Sequence, residues 1–269
     1  MLVLVGTPIG NLEDLAPRAV RVLAEADVVL CEDTRRTGRL LQAAGVHAKK
    51  LVAVHDHNEA GQIGMVLDRL RRDEVVAVVS DAGMPGISDP GERLVRAAAD
   101  EGFEVQVVPG PSAAVAGLVA SGLPTGRFVF EGFLPRSGSG RTERLAALAT
   151  ERRTIVLYEA PHRLERTLQD LLDALGDRQV ALARELTKLH EETWRGSLSA
   201  ALARPEEPRG EYVVVVEGAA PPPVADDDEL AATVARLVAA GTSKRDAVAE
   251  VASAYDVPKR RVYELATRS

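Results

Sequence analysis

The stretch Val75–Gly91, VVAVVSDAGMPGISDPG, joins a strand pattern to a strongly constrained turn. Its first part, Val75–Val79, is an apolar run rich in β-branched residues, which predicts a buried strand. The rest, Ser80–Gly91, holds three glycines, two prolines and two aspartates. Glycine lets backbone approach a ligand closely, and proline removes freedom that the turn would otherwise lose on binding. Because open α/β sheets bind ligands beyond the carboxyl ends of their strands, we predict that this turn forms the floor of a cofactor site. A rigid solvent turn is the plainer alternative.

The same arrangement recurs along the chain, where short apolar runs end in polar or glycine-rich segments and alternate with helical patterns. The predicted strands of the first half are Leu2–Val5, Val28–Cys31, Leu51–Val54, Val75–Val79 and Val105–Val108. Such alternation predicts a mostly parallel sheet with helices on both faces. The segments that follow strands are TPIGN (7–11), CEDTR (31–35), HDHNE (55–59), SDAGMPGISDPG (80–91), PGPSA (109–113), YEAPHR (158–163) and ARELTK (183–188). If the strands run parallel, these segments gather at one edge of two sheets and meet in a cleft.

The pattern predicts two α/β domains, residues 1–121 and 126–218, followed by a Pro/Asp linker at 219–228. Residues 229–269 read as a small helical module that resembles a helix-turn-helix. Its basic residues cluster near predicted helix starts: Lys244, Arg245, Lys259, Arg260 and Arg261. They suit contacts with nucleic acid, although a solvated helix face is an equal alternative. Within the second domain we expect Trp194–Ser197 to open a short helix and Arg136–Arg141 to form a mobile loop that could touch a polyanion.

Composition excludes several classes of protein. Over 269 residues the net charge is −7, which argues against a general electrostatic grip on nucleic acid but leaves room for a local basic face. No Cys/His group has metal-ligand spacing, so no metal is expected. Cys31 is the single cysteine, which fits a reducing cytoplasm and a role in core packing. No apolar run approaches bilayer length and the amino terminus lacks the features of a signal peptide, so we expect no membrane association.

Several of these segments occur in the order that characterises a known family. VGTPIGNLEDL (5–15), CEDTR, SDAGMPGISDPG, PGPSA and YEAPHR together resemble the tetrapyrrole-methylase superfamily of S-adenosylmethionine-dependent methyltransferases, most closely its branch that methylates ribosomal RNA. The resemblance covers the whole chain. It implies two α/β/α domains with the cofactor in the cleft between them, and a homodimer. It also implies methylation of the ribose 2′-oxygen of a cytidine in 16S rRNA, which we expect to be presented within the assembled small ribosomal subunit.

Carried over to this chain, the resemblance implies a set of cofactor-binding residues. They are Pro8, Ile9, Gly10, Gly83, Met84, Pro85, Ile87, Ser112, Ala113, Tyr158, Ala183, Arg184 and Glu211. Superfamily members that act on precorrins or uroporphyrinogen carry a shorter Gly-Asp-Pro turn where this chain has Asp81–Pro85. That departure weakens the transfer of residues in this turn and points away from a tetrapyrrole substrate.

A ribose hydroxyl is a weak nucleophile, so a base or a strong hydrogen-bond acceptor should assist it. Asp33 is the first candidate, and Asp33→Asn is predicted to abolish methyl transfer while cofactor binding persists. The other candidates for catalysis are Glu32, Arg35, Glu159 and Glu185. The residues expected to hold RNA phosphates are His162, Arg163, Lys188, Lys244, Arg245, Lys259 and Arg260. For any one acid, capping or ion pairing is an equal alternative.

Two rival functions remain open at this point. A tetrapyrrole (precorrin or uroporphyrinogen) methylase would share the fold, but the helical end and the long turn disfavour it. A non-enzymatic nucleic-acid-binding protein would leave the glycine-rich strand ends unexplained. A Rossmann dehydrogenase is disfavoured because the chain lacks G-x-G-x-x-G followed by an acid at the ribose-binding spacing.

Overall fold

The computed structural model describes residues 1–205, 208–221 and 226–268. The chain divides into two compact units, Met1–Gly218 and Ala219–Ser269. Of the predicted linker at 219–228, residues 222–225 lie outside the described residues. No helix in the described part of the chain is both long enough and apolar enough to cross a membrane.

The larger unit begins with a five-stranded sheet in which every strand pair is parallel. Its strands are β1 (Leu2–Val5), β2 (Val28–Cys31), β3 (Leu51–Ala53), β4 (Val76–Val78) and β5 (Val105–Val108), in the order β3-β2-β4-β1-β5. Four helices connect them: α1 (Pro17–Glu25), α2 (Thr34–Ala43), α3 (Glu59–Leu70) and α4 (Glu92–Asp100). Leu2 and Leu4 of β1 enter one hydrophobic cluster, whereas Val3 and Val5 enter another. Successive side chains of a strand point to opposite faces, so both faces of this sheet are covered, as predicted.

The second sheet is mixed, with the order β6-β7-β10-β8-β9. Its strands are β6 (Phe128–Phe133), β7 (Thr154–Glu159), β8 (Gln179–Arg184), β9 (Glu192–Ser197) and β10 (Tyr212–Val216). Only β6 and β7 pair in parallel; β10 is antiparallel to both β7 and β8, and β9 is antiparallel to β8. The connection 185–191 between β8 and β9 is too short for the crossover that a parallel pair needs. Because β7 and β8 both oppose β10, their carboxyl ends still share one edge with the amino end of β10.

The helices of this half are α5 (Ala113–Ser121), α6 (Ser139–Ala149), α7 (Pro161–Leu175) and α8 (Leu198–Leu202). Helix α5 follows the last strand of the first sheet but packs on the second. Its Ala114 and Leu118 share a cluster with Val213, and a Cβ on Gly117 would lie 2.7 Å from a methyl carbon of Val213. The predicted domain boundary at residue 121 therefore assigns to the first domain a helix whose packing partner is the second sheet.

Two local predictions differ from the structure. The short helix predicted to open at Trp194–Ser197 is α8, which Ser197 caps but which begins at Leu198; Trp194–Ser197 forms the end of β9, where Trp194 pairs with Leu182 of β8. Pairing with a neighbouring strand overrides a weak local pattern. Arg141 is not on a mobile loop: it is 4% exposed, and its guanidinium donates to Asp170 and to the carbonyl of Pro135.

The C-terminal unit has its own core. Its helices are α9 (Asp227–Ala239), α10 (Lys244–Ala254) and α11 (Lys259–Arg268), in agreement with the helical module predicted at 229–269. Buried side chains from all three helices, including Leu230, Val251 and Val262, form one cluster. Ser243 caps α10 by accepting the N–H of Asp246 at 3.2 Å.

Candidate active site

The bends at residues 6–11, 80–91 and 109–113 lie in direct contact, as the sequence predicts. Thr7 and Gly83 exchange backbone hydrogen bonds, with the N–H of Thr7 donating at 2.9 Å and that of Gly83 at 3.2 Å. The buried Thr7 hydroxyl lies 3.3 Å from the carbonyl oxygens of both Ser80 and Gly83. The contact arises because β4 and β5 flank β1 in parallel, so the segments that follow these strands emerge side by side.

Glycine is required where these bends touch. A Cβ on Gly6 would lie 2.7 Å from both the Cα and the amide nitrogen of Gly110, and 2.8 Å from the sulfur of Met84. Gly83 has a φ of 84°, a conformation that favours glycine. The bends can therefore pack backbone against backbone at Gly6 and Gly110.

A cavity of about 310 Å³ lies between these bends and the shared edge of β7, β8 and β10. From the first sheet and α5 it is lined by Ile9, Ala82, Gly83, Met84, Ile87, Ser88, Asp89, Ser112 and Ala113. From the second sheet it is lined by Phe133, Tyr158, Glu159, Ala160, Pro161, Ala183, Glu185, Leu186, Lys188, Glu211, Tyr212 and Val213. A mostly apolar lining with a few convergent polar groups is typical of sites for small organic ligands, and the volume lies at the lower end of their range.

Tyr158 forms a fixed part of the wall. Its hydroxyl accepts the N–H of Ala114 at 3.1 Å, which ties the second sheet to the start of α5. Its ring lies 5.0 Å from that of Phe130 and 5.6 Å from that of Phe133, centroid to centroid. Burial raises the pKa of Tyr158, so the phenol is neutral at pH 7.

Lys188, the lysine of ARELTK, lines the cavity. The Nζ of Lys188 lies 2.9 Å from Glu185 and 2.8 Å from Glu211, and the N–H of Glu211 donates to Glu185 at 3.0 Å. The hydrogen bond from Lys188 lowers the pKa of Glu185, which favours a paired carboxylate over a proton carrier. Gly10 lies against this lysine, since a Cβ there would be 2.4 Å from the Cγ of Lys188.

Glu159 and Arg163, predicted to act in catalysis and phosphate binding, are paired with each other and with groups of the core. The buried carboxylate of Glu159 accepts the hydroxyl of Thr167 at 2.6 Å and the N–H of Ala160 at 2.9 Å. Arg163 pairs with the same carboxylate at 3.2 Å and donates to the carbonyl of Leu134 at 2.6 Å. Every carboxylate oxygen is thus occupied within the core.

Arg184 was predicted to bind the cofactor, but its side chain lies elsewhere. It does not line the cavity; it pairs with Glu192 at 2.8 Å beside a different hollow that Arg204 also lines. Ala183 does line the cavity, and neighbouring residues of a strand point to opposite faces. Both residues therefore cannot contact one ligand through their side chains.

Asp33 caps α2. Its Oδ1 accepts the N–H of Arg35 at 2.7 Å and that of Arg36 at 3.3 Å, and these bonds lower its pKa. Its own N–H donates to Asp81, which is paired with Arg36 at 3.1 Å. Asp33, Glu32 and Arg35 do not line the cavity but follow β2, the strand next to β4. Pro8, Pro85 and His162 are also absent from the lining: the two prolines are buried beside it, and His162 is exposed on the first turn of α7.

Asp89 has no predicted role, although it lies in the turn Ser80–Gly91. Burial and, after it, the nearby charge of Glu32 raise the pKa of this carboxyl to about 7. Burial likewise raises the pKa of Glu32, with Asp81 as the second cause. An aspartate fixed between two turn residues in Ser-Asp-Pro-Gly is a signal that could have drawn attention to this position.

Four of the residues predicted to hold RNA phosphates lie in the C-terminal unit, at the amino ends of α10 and α11. All four are exposed: Lys244, Arg245, Lys259 and Arg260. Arg260 pairs with Glu264 at 2.8 Å, one turn along the same helix. Within the described residues, the other three form no ion pair.

Comparisons with known proteins agree with this geometry. The family model of Tetrapyrrole (Corrin/Porphyrin) Methylases matches residues 1–202. A relative from Synechocystis, named ribosomal RNA small subunit methyltransferase I, is 45% identical over 98% of this chain and 96% of its own length. A relative of the same name from Thermotoga maritima is 49% identical over 80% of this chain and 97% of its own length.

Among solved structures, uroporphyrin-III C-methyl transferase from Thermus thermophilus complexed with S-adenyl homocysteine has a TM-score of 0.56 at 24% identity, covering 80% of this chain and 91% of that one. That likeness shows the fold. The chain therefore belongs to the tetrapyrrole (corrin/porphyrin) methylase family and, within it, to the group of relatives named ribosomal RNA small subunit methyltransferase I.

Proposed function

We propose that this chain is an S-adenosylmethionine-dependent methyltransferase that acts on the ribose 2′-oxygen of a cytidine in 16S rRNA. The cavity between the glycine-rich bends and the second sheet carries the proposal. The name of the relatives supports RNA of the small ribosomal subunit as the substrate, and the product held by the Thermus neighbour supports the cofactor. A cytoplasmic location is part of the proposal, because the proposed substrate is ribosomal RNA; a single, buried Cys31 without a disulfide is consistent with it.

The cavity fits this cofactor in volume and in chemistry. Ile9, Met84, Ile87, Ser112 and Ala113 would hold it from one side. Tyr158, Ala183 and Glu211 would hold it from the other. When bound, S-adenosylmethionine supplies a methyl group that its sulfonium already activates. The protein then mainly has to orient the acceptor, which the fixed ring of Tyr158 is suited to do.

The target ribose has to be unpaired and splayed out before a hydroxyl can enter such a cavity. The chain has a net charge of −7 and only 3% aromatic residues, so it lacks both a general attraction to RNA and surfaces for stacking. These properties favour a nucleotide that a preformed RNA shape already presents. We therefore propose the assembled small subunit, not naked RNA, as the substrate.

The exposed cations of the C-terminal unit are proposed to contact RNA phosphates. The alignment with the Thermotoga relative leaves about a fifth of this chain without a counterpart, a share as large as this unit. A role in substrate affinity, separate from methyl transfer itself, would fit both observations.

Replacing Lys244, Arg245 and Lys259 together by alanine should weaken binding to the small subunit by about tenfold or more and flatten its salt dependence, because each phosphate contact releases counterions. The affinity for S-adenosylmethionine should not change. Arg236→Ala, which removes a single exposed positive charge on α9, is the control. Filter binding at several salt concentrations measures the affinity for the small subunit and its salt dependence. If the triple variant bound the small subunit with the affinity and salt dependence of the wild type, α10 and α11 would have no role in RNA binding.

The homodimer is also a proposal. Val115 and Val119 lie one turn apart on α5 and are 49% and 70% exposed, which is unusual for valines within a packed helix. A second copy that covers this strip would remove it from water. Light scattering should give the mass of two chains, whereas the mass of one would contradict the dimer.

The decisive experiment maps tritiated methyl groups onto small-subunit RNA. The enzyme should label 30S subunits isolated from a strain that lacks the modification, and nuclease digestion should locate the label in a 2′-O-methylcytidine. Label in a base would correct the position. Label in uroporphyrinogen instead of RNA would support the tetrapyrrole alternative, and calorimetry without heat on addition of S-adenosylmethionine would support a non-enzymatic binding protein.

A further inference from the structure

Phe133 is an aromatic residue that lines the cavity and is also open to water. It ends β6 and is 52% exposed, the highest exposure among the large apolar side chains of the cavity lining. The ring of Tyr158 is tilted by 57° to that of Phe133, so the two rings do not stack face to face. A residue that both lines a cavity and is exposed lies at its mouth. There the ring of Phe133 presents a surface on which a planar group can stack.

A β-bulge sets the position of Phe133. The register of β6 against β7 shifts between Phe130 and Gly132, and Gly132 has a φ of 60°, a conformation that favours glycine. A bulge bends its strand and re-aims the side chains that follow it. A Cβ on Gly132 would lie 3.0 Å from the hydroxyl oxygen of Ser88, so the bulge also lies against the turn Ser80–Gly91. Phe133 is thus placed where the wall from the second sheet meets the wall from the first.

The exposed loop that follows Phe133 is held at its base by two arginines. Residues 135–140 are all exposed and lie between the buried residues Leu134 and Arg141. The carbonyl of Leu134 accepts a hydrogen bond from Arg163 at 2.6 Å, and that of Pro135 accepts one from Arg141 at 2.9 Å. Both arginines are paired with acids, one on α7 and one on β7. The loop therefore starts from a fixed point beside the cavity.

Arg136 is the cation of this loop. The loop sequence, Pro-Arg-Ser-Gly-Ser-Gly at 135–140, contains no acid. Arg136 is exposed and forms no ion pair with any residue that the structure describes. A guanidinium without a competing carboxylate is suited to bind a phosphate through two parallel hydrogen bonds. An aromatic ring and such a guanidinium, three residues apart, match the base and the phosphate of one nucleotide.

The composition of the chain favours one nucleotide over a run of them. Aromatic residues make up only 3% of the sequence, which is too few for a surface that stacks successive bases. A base that is splayed out of an RNA loses its stacking neighbours, and an aromatic side chain can replace them. A single ring at the mouth of the cavity is sufficient for that purpose.

We propose that Phe133 and Arg136 form the subsite for the nucleotide that is methylated. Its base stacks on the ring of Phe133, and Arg136 binds a phosphate beside it. Because the ribose is attached to that base, stacking at the mouth brings its 2′-hydroxyl to the cavity. Both residues position the acceptor, and neither exchanges a proton or a bond with it. This inference rests on the proposed function and deepens it, since it names the groups that hold the substrate.

The first test compares Phe133→Ala and Phe133→Leu with Phe128→Ala. Phe128 begins the same strand, is 40% exposed and does not line the cavity. The half-saturating concentration of 30S subunits in single-turnover methylation should rise at least about fivefold in both Phe133 variants, the lower limit for the loss of one base stack. Leucine keeps an apolar contact with Tyr158, so a loss shared by both variants belongs to the aromatic face and not to folding. Phe128→Ala should match the wild type.

Two measurements separate stacking on RNA from other roles of this ring. Calorimetry should give the wild-type affinity for S-adenosylmethionine in both Phe133 variants. Phe133→p-benzoylphenylalanine, irradiated with 30S subunits and S-adenosylhomocysteine, should crosslink to 16S rRNA at the nucleotide that the wild type methylates, as read by primer extension. Phe128→p-benzoylphenylalanine should give no crosslink there.

Arg136→Ala should weaken binding to 30S subunits and lower the slope of log affinity against log salt concentration by about one, because one phosphate contact is lost. Arg136→Lys keeps the charge and should keep the slope. Arg127→Ala removes an exposed arginine just before the start of β6 and is the matched control. A wild-type affinity and slope in Arg136→Ala would remove Arg136 from the subsite.

The outcomes separate this subsite from the proposed function. No label in RNA from the wild type would overturn both. Label from the wild type, with wild-type dependence on 30S concentration in Phe133→Ala or with no crosslink at the target nucleotide, would overturn only the subsite. Weaker binding of S-adenosylmethionine by Phe133→Ala, with unchanged affinity for 30S subunits, would make Phe133 a cofactor contact and would also overturn the subsite.

Discussion

Gly6→Ala is expected to lower the free energy of unfolding by about 3 kcal/mol, the upper part of the range for overpacking a tight interior. The added Cβ would lie 2.7 Å from two backbone atoms of Gly110, and backbone has no alternative rotamer to adopt. Relief requires that the bend after β1 move away from the bend after β5. Because Thr7 and Gly83 are joined by backbone hydrogen bonds, such a movement also disturbs the bend at Gly83, which lines the cavity.

The same variant should therefore bind S-adenosylmethionine at least about tenfold more weakly. Urea denaturation measures the stability and calorimetry the affinity. Gly61→Ala is the matched control: this glycine lies in α3, is exposed and would place its Cβ more than 4 Å from any neighbour. Its free energy of unfolding should rise by about 0.5–1 kcal/mol because alanine favours the helix more than glycine does, and its affinity for S-adenosylmethionine should not change. Wild-type stability in Gly6→Ala would contradict the close approach of the two bends.

Glu59→Ala is expected to lower the free energy of unfolding by about 3 kcal/mol, because each buried donor left without a partner costs about 1–3 kcal/mol. One oxygen of this buried carboxylate accepts three backbone N–H groups at the start of α4, those of Gly91, Arg93 and Leu94, at 2.9, 3.1 and 3.3 Å. The local cap, Gly91, has no side chain to replace it. A negative charge at a helix amino terminus adds a favourable interaction with the helix dipole.

Loss of this cap should also loosen the turn that carries Asp89, so the amides of residues 91–94 should exchange with deuterium faster than in the wild type. Glu59→Gln keeps an acceptor oxygen and should lose only about 1 kcal/mol, most of it from the missing charge. Glu92→Ala, on the exposed first turn of the same helix, should stay within about 0.5 kcal/mol. If Glu59→Ala had the same free energy of unfolding and the same rates of amide exchange as Glu92→Ala, the Glu59 carboxylate would not act as the cap of α4.

The corrected assignments share one cause. Asp33 follows a strand, and Glu159 and Arg184 each end one, where catalytic groups of such folds lie. Residue type alone could not separate them from Asp89, which lines the cavity. What separated them was the direction of each side chain and the partners it meets. Asp33 finds two N–H groups of α2, Glu159 finds Thr167 and Arg163 in the core, and Arg184 lies on the other face of its strand from Ala183.

By itself, the sequence determined the features that depend on near neighbours in the chain: buried β-branched strands, amphipathic helices between them, and glycine- and proline-bearing bends that have few conformations open to them. Those features were enough to predict a parallel sheet with its bends gathered at one edge, and a helical unit at the end. Only the tertiary structure decided that β10 runs antiparallel between β7 and β8, that Glu59 caps a helix that begins 33 residues later, and that Glu32 raises the pKa of Asp89. Hydrogen-bond partners and electric fields depend on distance in space, and residues far apart in the chain become neighbours only when the sheets and helices pack.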